Sequence, residues 1–130
     1  MGMYSNVYDN ETYNPAAPVV EIGVSRLGST EPLTLVIALV DSGADASMIP
    51  IDILQTAGAR YSMTKQMRGV VGHPIVVEMY LVTLFIGSYV FPGVEVIAAA
   101  EGAEVVIGRD VLNDMVVTLN GLANVIEMTQ

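Results

Sequence analysis

The run Ala38-Leu39-Val40-Asp41-Ser42-Gly43-Ala44-Asp45-Ala46-Ser47 gathers the residue types best suited to chemistry in this chain. An aspartate directly after an apolar stretch and before a tight-turn signal stands where a buried strand gives way to a loop. Burial raises a carboxyl pKa, and a second carboxylate close by raises one of the pair further, until the two share a proton. Such a pair draws a proton from water with its ionised member and hydrogen-bonds a substrate carbonyl with its protonated one. A single carboxylate cannot do both at once.

Other catalytic equipment is scarce. The absence of cysteine removes disulfides, thiolate nucleophiles and zinc-thiolate sites together. His73 is the only histidine, and without a partner motif it reads as an exposed turn residue with no catalytic or metal role. No metal and no cofactor are expected. Five cationic residues stand against fourteen acidic ones, for a net charge of −9 that repels polyphosphate, so nucleic acid is excluded as a partner. Arg60, Lys65 and Arg68 form a small basic cluster that reads as a solvated face. The longest purely apolar stretches, 35–40 and 96–100, fall far short of the roughly 20 residues that cross a bilayer. The first residues show no secretory pattern, and Asn6 breaks the acylation pattern that Met1-Gly2 opens. A soluble, cytoplasmic protein without membrane contact is expected.

The elements that must position the aspartate come next. A chain of 130 residues has the size of one domain, and 52% hydrophobic residues supply a core in spite of the charge. Residues 1–17, with Tyr4, Tyr8, Tyr13 and Pro15, lack apolar periodicity and are expected as a mobile N-terminal arm or leader. Residues 18–130 form the domain. Branched residues over 19–24 and 33–40, separated by Gly28-Ser29-Thr30, predict a hairpin that leads to Asp41. Apolar spacing over 51–57 before Gly58 predicts a short helix. Strands are expected at 67–80, 81–86, 91–100 and 105–107, then a short helix at 110–115 capped by Asp110 or just before it. Residues 116–119 and 123–128 predict a hairpin across Asn120-Gly121. Seven or more short strands with one or two brief helices make a mainly β barrel or sandwich. An internal echo is visible, because an apolar run, a glycine and a short helix recur half a chain length apart, at Gly43 and at Gly108.

Asp41-Ser42-Gly43 resembles the Asp-Thr/Ser-Gly signature of aspartic proteases, and the short chain points to their retropepsin-like (retroviral-type) branch. Val105-Val106-Ile107-Gly108-Arg109-Asp110-Val111-Leu112 resembles the second signature of that family, an apolar run, Gly-Arg and a short helix. The resemblance covers residues 18–130 and implies a mainly β, retropepsin-like acid-protease barrel that acts as a homodimer. Each subunit would then contribute one Asp41 to a catalytic dyad at the twofold axis.

By the same resemblance, Ser42 and Gly43 support the site, with the Ser42 hydroxyl hydrogen-bonding across the axis. Gly43 and Ala44 let substrate backbone approach, while Asp45 contacts substrate main chain and pairs with Arg109. Residues 69–75 occupy the place of a flap, with Val70, Val71 and Gly72 at its tip. The implied activity is that of an aspartic endopeptidase acting on an extended peptide, with the terminal strands 18–24 and 123–128 interleaved between subunits. A non-catalytic dimerisation or peptide-binding module of the same fold is the alternative, and an unrelated β-barrel binding domain a third.

Overall fold

The computed structural model describes residues 2–68 and 72–130. The described residues form β1 (Tyr4–Val7), β2 (Val19–Ser25), β3 (Thr34–Val40), β4 (Met48–Pro50), α1 (Ile51–Thr56), β5 (Arg60–Arg68), β6 (Pro74–Ile86), β7 (Tyr89–Ala99), β8 (Val106–Ile107), α2 (Arg109–Leu112), β9 (Val116–Asn120) and β10 (Val125–Thr129). The large sheet runs β2-β3-β8-β4-β7-β6-β5. Strand β6 returns to β2 through Gly23↔Phe85, Val24↔Leu84 and Ser25↔Thr83, which closes a six-stranded ring. Closure leaves β5 outside the ring, attached only to β6. The ring removes most free edges, which an open sheet would expose to pairing with other chains.

Most pairings are antiparallel, but β3–β8 and β4–β7 are parallel. The first of these brings the ends of β3 and β8 side by side, and both expected signatures sit at those ends. Inside the ring, Ile22, Ile49, Leu84, Val96 and Ile107 are completely buried. Leu54 is the one fully buried side chain of α1 and seats that helix on the core. Burying a side chain of this kind is worth about 1.5–3 kcal/mol, which compensates for a helix too short to be stable alone.

Several expectations are corrected. Residues 1–17 do not form a detached arm, since β1 pairs with β10 from Tyr4↔Met128 to Val7↔Val125. Side chains fasten the strand further: Asn6 Nδ2 donates to Val19 O (3.1 Å), and the Tyr4 hydroxyl accepts from Glu21 N (2.9 Å). A strand so short carries almost no periodic signal, and polar anchors of this kind leave none. The expected break between 80 and 81 is absent, because β6 runs unbroken across it while β5 begins earlier, at Arg60. β5 is largely exposed, so no alternation betrays it.

Helix α2 starts at Arg109, and its N-cap is Gly108 without a side-chain cap, because the Asp110 carboxylate is used elsewhere. The last hairpin turns through residues 121–124 rather than across Asn120-Gly121, with Asn120 Oδ1 accepting from Ala123 N (3.0 Å). The terminal strands expected to interleave are already engaged within the chain. β10 lies between β1 and β9, and β2 pairs with β3 and β6 while β1 side chains hold its remaining edge. The outer edges of β1 and β9 carry no further strand among the described residues.

Candidate active site

Asp41 stands one residue past β3, yet the ladder to the β8 segment continues through it. Leu39 N donates to Val105 O (2.8 Å) and Asp41 N to Ile107 O (2.9 Å). The backbone of Asp41 is therefore fixed by the closed ring even though its side chain lies in a turn. Ala44 N donates to Asp41 O (3.1 Å), closing a four-residue turn, and Gly43 N donates to Asp41 Oδ1 (2.9 Å). This Asx arrangement explains Ser-Gly after the aspartate, since small residues let the backbone fold back on the carboxylate. One carboxylate oxygen is oriented by that N–H, and Oδ2 takes no protein donor among the described residues. Asp41 is half-buried, while Ser42 and Gly43 are exposed. An oriented, half-buried carboxylate with one open oxygen is suited to holding water or a polar substrate group.

The second signature locks the turn. Arg109 N donates to Ala44 O (2.9 Å), and the Arg109 side chain donates through Nη1 to Ser42 O (2.7 Å) and through Nη2 to Asp45 Oδ1. The guanidinium thus bridges a backbone carbonyl and a carboxylate on one loop, which suits its planar fork. Gly108 sits so close to this loop that a Cβ there would lie 2.7 Å from Ala44 O and 2.9 Å from Ala46 C. Only glycine permits that approach.

Beneath the loop is a buried network that the sequence reading did not find. Ser47, fully buried, donates through its backbone N to Asp110 Oδ2 (2.9 Å) and through Oγ to Asp110 Oδ1 (2.7 Å). Its Oγ also accepts from Gly108 N (3.0 Å). The available signal was Asp110 directly after Gly108-Arg109, which local reasoning takes for a helix cap. A cap is local, whereas this carboxylate reaches across to residue 47.

The remaining expected site residues lie on the β5–β6 hairpin. Its ladder ends at Arg68↔Pro74. Val70 and Val71 lie outside the described residues. Gly72 is described: its φ of +80° is one that few side chains tolerate, and nothing lies within 4 Å of where a Cβ would be. Pro74 opens β6 as its first residue, a position where the missing N–H costs no ladder bond. His73 is exposed beside it. Asp41, Ser42, Gly43, Ala44, Asp45 and Arg109 thus form one cluster. Gly72 belongs instead to the β5–β6 hairpin.

Comparison with known proteins places this geometry. Residues 34–114 match the sequence family described as "gag-polyprotein putative aspartyl protease", a span that includes both Asp41 and Arg109. No curated protein matches the chain. Among solved structures, the fold is similar to that of a retropepsin-like aspartic protease from Rickettsia conorii, with a TM-score of 0.66 and 11% identity. That match covers 99% of this chain and 94% of the other. At such identity the likeness speaks for the fold, and the sequence match, over more than half of the chain, for the family. The chain belongs to the gag-polyprotein aspartyl protease family and has a retropepsin-like fold.

Proposed function

We propose that this chain is an aspartic endopeptidase that works as a homodimer, with Asp41 of each copy forming the catalytic dyad. The observation that carries the reading is the Asp41 carboxylate itself, presented at a strand end, oriented on Gly43 N and open at Oδ2. One chain supplies one such group, and the chemistry needs two. Two carboxylates brought face to face cannot both be ionised, so such a pair holds one proton. The ionised carboxylate takes a proton from water, and the water oxygen attacks the peptide carbonyl carbon while the protonated carboxyl passes its proton to the carbonyl oxygen, leaving a gem-diol. The gem-diol collapses as the carboxyl that took the water proton gives it to the nitrogen, the C–N bond breaks, and the other carboxylate takes back a hydroxyl proton, which restores the singly protonated pair. No covalent enzyme adduct and no metal take part.

The supporting roles follow the same reading. Ser42 hydrogen-bonds across the axis, Gly43 and Ala44 admit the substrate backbone, and Asp45 contacts substrate main chain while Arg109 holds it. Val70, Val71 and Gly72 form the tip of a flap on the β5–β6 hairpin. The peptide lies extended and pairs through its backbone as an added strand. Residues 18–130 are the protease domain, with 1–17 as an N-terminal segment.

Two features favour the dimer. A cavity of about 340 Å³ beside Ser42 is lined by Val40, Leu112, Met115, Val117 and Leu119 together with Asn113, so the underside of the turn is open and mostly apolar. Beside it, β9 has a free outer edge and exposes Val116 (59%) and Leu119 (53%). A second copy of this chain seated there would cover apolar surface and bring its own Asp41 turn alongside. The compartment we propose is the cytoplasm, and no described helix is long and apolar enough to cross a membrane.

The test is mass spectrometry of a peptide library incubated with the chain across acidic and neutral pH. Cleavage that disappears in Asp41→Asn and in the presence of a statine-type inhibitor is the expected result. Cleavage unchanged in Asp41→Asn sinks the assignment. Peptide binding without turnover in the unaltered chain selects the non-catalytic module instead.

A further inference from the structure

The face of β3 that carries Asp41 extends away from it along the strand. Side chains alternate, so Ile37 and Leu39 share the Asp41 face at about 7 Å per two residues, while Ala38 and Val40 are buried in the core. Beside Ile37 and Leu39 lies a cavity of about 470 Å³, whose lining also includes Glu104, Thr12 and Tyr13. Its chemistry is mixed, with two branched apolar walls and two carboxylates in the lining, Glu104 and Asp9, the second engaged by its own turn.

Tyr13 is held there by a built loop. Asp9 N donates to Ala17 O (2.9 Å) and Ala17 N to Asp9 O (3.1 Å), which pinches the loop shut. Asp9 Oδ1 accepts from Glu11 N (2.9 Å) and Thr12 N (3.0 Å), shaping its first turn. From this loop the Tyr13 hydroxyl donates to Glu104 Oε2. The Glu104 carboxylate, as acceptor, pushes the Tyr13 phenol up to about 12, with a smaller part from burial. A tyrosine of the chain itself thus lies on the strand face that leads to the proposed catalytic carboxylate.

We propose that Glu104 is a specificity-determining residue of the peptide groove, selecting substrate side chains that end in a hydrogen-bond donor, tyrosine before all, with Tyr13, a wall of the same cavity, engaging that acceptor from within the chain. The inference rests on the peptidase reading above for the word substrate, but not for the binding it foresees. Ile37 and Leu39 contact an aromatic ring, and the Glu104 carboxylate accepts its hydroxyl. Phenylalanine fills the same walls and leaves the acceptor to water. A substrate hydroxyl must displace that of Tyr13 from Glu104, so the loop 9–17 weakens binding of any peptide that uses this acceptor.

Binding read without turnover tests this. The Asp41→Asn chain, which leaves peptide intact, is titrated by NMR with two capped hexapeptides, Ala-Ala-Tyr-Ala-Ala-Ala and the same with Phe for Tyr. With Tyr13→Ala added, the tyrosine peptide binds about fivefold more tightly than the phenylalanine one, the scale of one partly exposed hydrogen bond to a charged acceptor. The shifted amides include those of Leu39 and Gly102. Adding Glu104→Ala abolishes the preference. Tyr13→Phe, which keeps the ring and loses the hydroxyl, binds the tyrosine peptide with intermediate affinity. Equal binding of the two peptides, no binding of either, or a preference that survives Glu104→Ala overturns the proposal. A protein that binds as described yet cleaves nothing contradicts the peptidase reading alone.

Discussion

The ends of β3 and β8 meet beneath the candidate site, and each is followed by an aspartate used in the opposite way. Asp41 accepts one N–H, from Gly43 on its own turn, and remains half-exposed. Asp110 accepts two donors from Ser47, across the fold, one on each oxygen. The local patterns are alike, an apolar strand, a glycine and a carboxylate within a few residues. Partners decide the role. A carboxylate with a donor on each oxygen fixes backbone, whereas one with an open oxygen is left for water and substrate.

The largest expected effect tests that division directly. Asp41→Asn should lower peptide cleavage about 10³-fold or more, the scale of lost acid–base chemistry, and leave thermal unfolding nearly unchanged. Asp110→Ala should do the reverse, destabilising the fold because Ser47 loses both acceptors. Cleavage assays and melting curves on both variants decide it; a large fall in stability for Asp41→Asn breaks the comparison.

The neighbouring glycines sharpen it. Gly108→Ala forces a Cβ against the backbone of Ala44 and Ala46, and backbone moves less readily than a side chain, so a cost of about 3 kcal/mol is expected in chemical denaturation. Gly43→Ala places its Cβ 3.1 Å from Asp41 Oδ1 and meets nothing else within 4 Å. It should cost little stability and much activity. Ser47→Ala comes next, at about 2 kcal/mol, because it removes a buried hydroxyl that serves both Asp110 and Gly108. By contrast, Asp45→Asn breaks an ion pair whose side chains are 74% and 42% exposed. Below about 1 kcal/mol is expected there, and less in high salt.

What was legible in the sequence follows the same line. Asp41 and Arg109 each stand in a run of near neighbours whose apolar lead-in announces a strand end, and β2, β3 and α1 follow from periodicity. Ser47 with Asp110 did not show, because a hydrogen bond between distant residues leaves no local pattern and Asp110 is also a plausible cap. β1 was missed for a related reason. Its pairing to β10 and its anchors, Tyr4 to Glu21 N and Asn6 to Val19 O, are long-range. Exposed β5 lacked the alternation that a half-buried strand displays. Where burial dictates residue type, sequence speaks; where polar partners arrive from elsewhere in the chain, it does not.

A third aspartate separates the number of partners from their reach. Asp9, like Asp110, accepts two donors, but both are local, from Thr12 and Glu11. Those backbone N–H groups, Thr12 foremost, hold its carboxyl below the ordinary 3.8. A folded value below the unfolded one means that the ionised form favours the turn. That contribution is complete above about pH 4 and lost as pH falls through the lowered value. Carboxyl NMR of Asp9 should therefore titrate below the midpoint of the same residue in a short peptide, with Glu11 and Thr12 amides exchanging faster in acid. Because the Asp9–Ala17 backbone pair survives the substitution, Asp9→Ala should loosen only the turn at Glu11 and Thr12 while the melting temperature stays where it was. If Asp9→Ala lowers the melting temperature as far as Ser47→Ala does, partner number alone sets the contribution. Asp110 then owes nothing to bridging the two halves of the fold.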